Sequence, residues 1–138
     1  MVGISIFESD SASSFLTDLY TTGYGLLEVA LDSVLDNDSA AGVIECEEAL
    51  ISAEIIAAAM GNPAFDLPED AREWIADNLP YGSEEHQQVA GLSEKAADVI
   101  DRVLTESDLR EMWDGNVSYD DWFGNLIELQ KRLTGDAE

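Results

Sequence analysis

Glu54 is the side chain whose surroundings bear most directly on chemistry. If its segment is helical, the residues three and four positions away are Leu50, Ile51, Ala57 and Ala58, all apolar. A carboxylate among such neighbours is at least partly buried, and must be paired, hydrogen-bonded or protonated. Two roles fit. One is structural, a bond to an indole N–H, a tyrosine hydroxyl or one of the arginines Arg72, Arg102, Arg110 and Arg132. The other is a general acid or base with a raised pKa, which needs a second polar group converging on the same point. The structural role carries more weight, because no clear second catalytic group is present.

The other reactive side chains are few. His86 and Cys46 are the single histidine and cysteine, so no C-x-x-C or H-x-x-x-H pair exists to hold zinc. His86 lies in the polar stretch SEEHQQ and reads as an exposed helix residue. Cys46 lies beside Glu45, Glu47 and Glu48, which raise its pKa and oppose a reactive thiolate. A lone cysteine makes no internal disulfide, which fits a reducing compartment, and the expected location is cytoplasmic. Neither G-x-S-x-G nor a phosphate-cradling glycine loop is present. The turns at Asp36 and Asp114 lack the sixth-place glycine and twelfth-place glutamate of a calcium loop. No catalytic, cofactor-binding or metal-binding residue is assigned, and no cofactor is expected.

Charge is the second signal. Thirty acidic residues face six basic ones, a formal charge of −24. Such a balance repels nucleic acid and anionic membranes, so neither is an expected partner. Glu28, Asp32 and Asp36 recur every four residues, roughly 6 Å apart on one helical face. Glu94, Asp98, Asp101 and Asp108 fit one side of a second path if its helix continues through Ser107. These rows are a candidate surface for a basic protein. Any amphipathic helix in so acidic a chain would also show them, and adaptation to high salt would scatter carboxylates in the same way.

The elements that must position these groups are helical. Glu45–Met60 is the longest run of strong helix formers and is apolar nearly all round, so other elements must surround it. Gly61-Asn62-Pro63 closes it. Its apolar part, Ala49–Met60, is too short and too polar to cross a membrane, and the first residues lack the features of a signal peptide. Met1–Phe7 alone has strand-like composition and reads as part of an arm, over residues 1–8, packed on one helical domain spanning 1–138. Helices follow from Ser9 or Asp10 to Gly23, from about Gly25 to Leu35, and from the start Asp66-Leu67-Pro68-Glu69 to just before Pro80. Another spans Glu84–Leu104, with a break or bend at Gly91, and then come Asp108–Trp113 and a last helix opened by Ser118. Asp38 or Ser39 is the expected cap of the central helix, and Asp66 that of the helix whose first turn holds Pro68, with Glu69 as capping-box partner. Trp74, Trp113 and Trp122 are expected in the core. The predicted architecture is all-α, a single bundle of six or seven helices around a buried central one at about 45–60.

Three blocks then resemble the bacterial domain-of-unknown-function family 4259. The first is Phe7-Glu8-Ser9-Asp10-Ser11-Ala12, similar to an opening F-x-N-D-x-A. The second runs from Ala49 to Pro63 with Ala53-Glu54 inside it, followed by Leu67-Pro68 and Trp74. The third is Ser107-Asp108-Leu109 through Trp113, then Trp122 and Leu129 to Leu133. The chain departs from the family pattern where Ile4 or Ser5 stands for a tryptophan, Ser9 for asparagine and Ser14 for aspartate. The resemblance implies one helical domain with Glu54 as a family-type position, and no activity. From charge alone, the expectation is a non-enzymatic acidic binding module, an inhibitor or immunity-type partner of a basic protein. The alternatives are a small enzyme or ligand-binding domain using Glu54, and a generic helical protein acidic through salt adaptation.

Overall fold

The computed structural model describes residues 10–36, 42–63, 67–105, 107–115, 117 and 119–134. These form eight helices: α1 Asp10–Thr22, α2 Gly25–Leu35, α3 Val43–Ala59, α4 Glu69–Asn78, α5 Glu84–Ala90, α6 Ser93–Thr105, α7 Asp108–Trp113 and α8 Tyr119–Thr134. No strand occurs among the described residues. The expected arm over residues 1–8 and the expected caps Ser9, Asp38, Ser39, Asp66 and Ser118 lie outside them.

All seven other described helices pack against α3. Residues 49–57 are buried without interruption, as an all-round apolar sequence requires. Small side chains let the neighbours come close. Ser52 Oγ donates to the Leu27 carbonyl of α2 at 2.8 Å, so its buried hydroxyl is satisfied. Leu27, Ala30, Leu31 and Val34 supply the facing side of α2. On α6, Ala96, Val99, Ile100 and Val103 are fully buried while Glu94, Asp98 and Asp101 face solvent.

The hub ends as its sequence requires. Gly61 takes φ +95, the Gly61 N–H donates to the Ala58 carbonyl and the Asn62 N–H to the Ala57 carbonyl. This reversal satisfies carbonyls the helix would otherwise leave open, and a β-carbon at Gly61 would strain it. At the other end the structure differs from expectation. The helix starts at Val43 with Gly42 at its N-cap, and no side chain caps it. The helix α4 starts later than expected, with Pro68 at the N-cap instead of inside the first turn, no side-chain cap, and Glu69 and Asp70 in an acidic first turn.

The run expected over Glu84–Leu104 divides into α5 and α6 at Gly91-Leu92, which adds one helix to the predicted six or seven. A larger departure occurs at Ser107. Its backbone is extended (φ −155, ψ 155), so α6 stops and α7 starts anew. The buried Ser107 hydroxyl donates to the Val103 carbonyl at 2.7 Å and accepts from the Arg110 N–H at 3.0 Å. One serine thus closes α6 and caps α7. Asp108 consequently leaves the helical path of Glu94, Asp98 and Asp101.

Candidate functional site

Glu54 is 7% exposed, and its partner is Arg132 near the end of α8. Arg132 Nη1 donates to Glu54 Oε1 at 2.9 Å and Nη2 to Oε2 at 3.1 Å. The third guanidinium nitrogen, Nε, reaches both oxygens of Glu128 at 2.9 and 2.8 Å. Nη1 also donates to the Asn62 carbonyl at 3.2 Å, and Asn62 Nδ2 returns a bond to the Arg132 carbonyl at 3.1 Å. Burial works against the charge of Arg132, but Glu54 and then Glu128 outweigh it, leaving its pKa raised. The planar fork matches a carboxylate edge to edge, which a lysine would not do.

This arrangement is a clamp between the hub and the last helix. Both Glu54 oxygens face one guanidinium, and Glu54 lines neither the cleft beside His86 nor the one between α6 and α8. What the sequence left open was which arginine. Arg132 follows Leu126 and Leu129 and precedes Leu133 on the buried side of α8, and a cation on an apolar stripe was the available signal.

His86 is a correction. It is 9% exposed, and its Nε2 lies 2.7 Å from the Ala59 carbonyl at the end of α3. That contact requires the proton on Nε2, and supplies a donor to a carbonyl left open at the helix terminus. Ser83 Oγ accepts from the His86 N–H at 3.1 Å, which fixes the start of α5 and turns the ring inward. Polar neighbours in sequence misled, whereas Val89 and Ala90, one turn on, marked the inward face. Beside His86 lies a cleft of about 460 Å³, lined mainly by Ala58, Leu67, Ile75, Leu79 and Tyr81, with Arg72 at its polar part.

Cys46 is fully buried, and burial pushes its thiol up to about 11, against bonds from Ser107 and Leu109 that lower it. It is therefore a poor nucleophile at neutral pH. No three metal-ligating side chains come together among the described residues.

The two carboxylate rows differ. Lys95 of α6 reaches across to α2, with Nζ 2.8 Å from Glu28 Oε2 and 2.9 Å from Asp32 Oδ1. Those bonds raise the Lys95 pKa and neutralise part of the first row. Asp36 stands exposed just beyond the end of α2. On the second row, Glu94, Asp98 and Asp101 edge a cleft of about 480 Å³ between α6 and α8. Ala97 and Ile127 floor it, and Lys131 is the single cation of its lining. Gln130 Nε2 donates to Asp101 Oδ1 at 2.8 Å and to the Ala97 carbonyl at 3.1 Å, pinning one wall to the other. Asp108 is exposed on α7, apart from this cleft.

No helix among the described residues is long and apolar enough to cross a membrane. Comparison with curated proteins and with solved structures gave no match. A family model described as a domain of unknown function matches residues 1–125, a span that includes Glu54 and the α6 row but stops before Arg132. With most of its length matched, the chain belongs to the DUF4259 family.

Proposed function

We propose that this protein is a non-enzymatic binding module that engages a basic protein through the carboxylates of α6, in the manner of an inhibitor or immunity-type partner. The observation that carries the reading is the α6–α8 cleft, where Lys131 is the single cation of a lining that holds Glu94, Asp98 and Asp101. Basic residues are scarce elsewhere too, since Arg132 is buried and Lys95 is committed to Glu28 and Asp32. A face of one sign speeds encounter with a partner of the other, and close pairing then fixes register. Glu28, Asp32, Asp36 and Asp108 contribute to the long-range field, with the first two damped by Lys95. The engagement of Glu54 by Arg132 favours this reading over acid–base catalysis.

The test is capture from the native lysate at roughly 0.1 M and 0.5 M salt, with wild type and Glu94→Gln/Asp98→Asn/Asp101→Asn as bait. A basic protein held by the wild type at low salt, released at high salt and missed by the variant is the expected result. Equal capture by both baits would reject the α6 surface. No capture, with a Tm that climbs steeply with salt, would assign the charge to a saline environment.

A further inference from the structure

We infer that the corner between α7 and α8 is a docking surface for a basic segment carrying an apolar anchor side chain. The corner combines two features. The first is an aromatic platform. Trp122 is rooted in the core at 2% exposure, and Trp113 stacks on it with ring centroids 5.9 Å apart and planes 12° from parallel. Tyr119 contacts Trp122 at 5.8 Å and Phe123 at 5.9 Å. The platform reaches solvent at Phe123, 36% exposed, while Met112 and Val117 along the same corner are 53% and 101% exposed. Rings already held by packing lose little freedom when a partner covers them, which is why aromatic side chains serve as interface anchors.

The second feature selects the occupant. Asp108, Glu111, Asp114, Asp120 and Asp121 are exposed and alternate with the apolar residues along this stretch, where Arg110 is the single cation. A second copy would bring the same carboxylates against these, and an anionic bilayer would be repelled. A segment in which lysines or arginines flank a leucine or an aromatic residue satisfies both features. Its anchor covers Phe123 and Tyr119, its cations face Asp114, Asp120 and Asp121, and a guanidinium is placed for cation–π contact with the rings. This inference rests on the reading that the protein binds a basic partner, and adds to the α6 carboxylates a second contact with an apolar anchor.

Two labelled probe peptides of equal length and charge, one of lysine and leucine in amphipathic order and one of lysine and serine, separate the two claims. Each is titrated into the protein at roughly 0.1 M salt and followed by fluorescence anisotropy. The lysine–leucine peptide is expected to bind about tenfold more tightly. That advantage should vanish in Phe123→Ser and shrink in Met112→Ser and Val117→Ser, two exposed positions where Tm should hold. Equal affinity for both peptides, or an advantage that survives all three variants, overturns the inference and leaves the basic-partner reading standing. Binding of neither peptide overturns both. Self-association, or binding to neutral phosphatidylcholine vesicles, that Phe123→Ser abolishes would assign the surface to a second copy or to lipid, and overturns the basic occupant.

Discussion

The hub and the outer face of α6 handle negative charge in opposite ways. Inside, one carboxylate is matched atom for atom: Glu54 meets the fork of Arg132, which is itself held by Glu128 and Asn62. Outside, Glu94, Asp98 and Asp101 are exposed, with one glutamine and one lysine at hand. The interior has no choice, because an unpaired charge there costs several kcal/mol, whereas solvated carboxylates cost little. Lys95 stands between these extremes. Its bridge from α6 to α2 is specific in geometry but wet. Surface charge is therefore free to serve recognition, while the buried charge is committed to holding α8 on α3.

The comparison breaks most visibly at Glu54. Glu54→Gln should lower unfolding stability by about 3 kcal/mol, because the guanidinium is left buried with one carboxylate fewer. Chemical denaturation would measure it, and a near-neutral result would mean that the pair contributes no net stability. Replacing both partners, Glu54→Leu with Arg132→Met, should recover most of that loss. Lys95→Ala is the intermediate case. It should cost about 0.5 kcal/mol at low salt, and the difference should fade as salt screens Glu28 from Asp32.

Smaller effects sharpen the outer half. Glu94→Gln/Asp98→Asn/Asp101→Asn should leave the fold intact and raise Tm slightly at low salt, since three like charges one turn apart are relieved. A marked loss of stability would mean that the α6 row is structural. Glu48 tests the boundary between the regions. Burial first, then the charges of Glu45 and Asp18, raises its pKa from 4.5. A raised carboxyl holds its proton to higher pH in the folded state than in the unfolded chain. Folding stability therefore falls as pH rises through the interval between 4.5 and the folded-state pKa, above which the penalty is complete. Glu48→Gln should give a small rise in Tm at pH 7 that disappears once pH falls below that interval.

The sequence by itself determined the α3 hub, its Gly61 stop, the approximate span of α2 and the all-α class. Each depends on local chemistry: an all-round apolar run, a left-handed glycine, a helical spacing of leucines. It also determined that Glu54 needs a partner, since its neighbours on α3 are fixed by helix geometry. Only the tertiary structure decided that the partner is Arg132, 78 residues away. The same holds for Lys95 reaching Glu28 and Asp32, and for the inward turn of His86 onto Ala59. Ser107 shows the limit most clearly, because its side chain bonds both ways at once and ends a helical path that charge spacing alone would continue. Periodicity reports which face of a helix is buried; which side chain meets it across the core depends on how the helices are packed, and that information is not local.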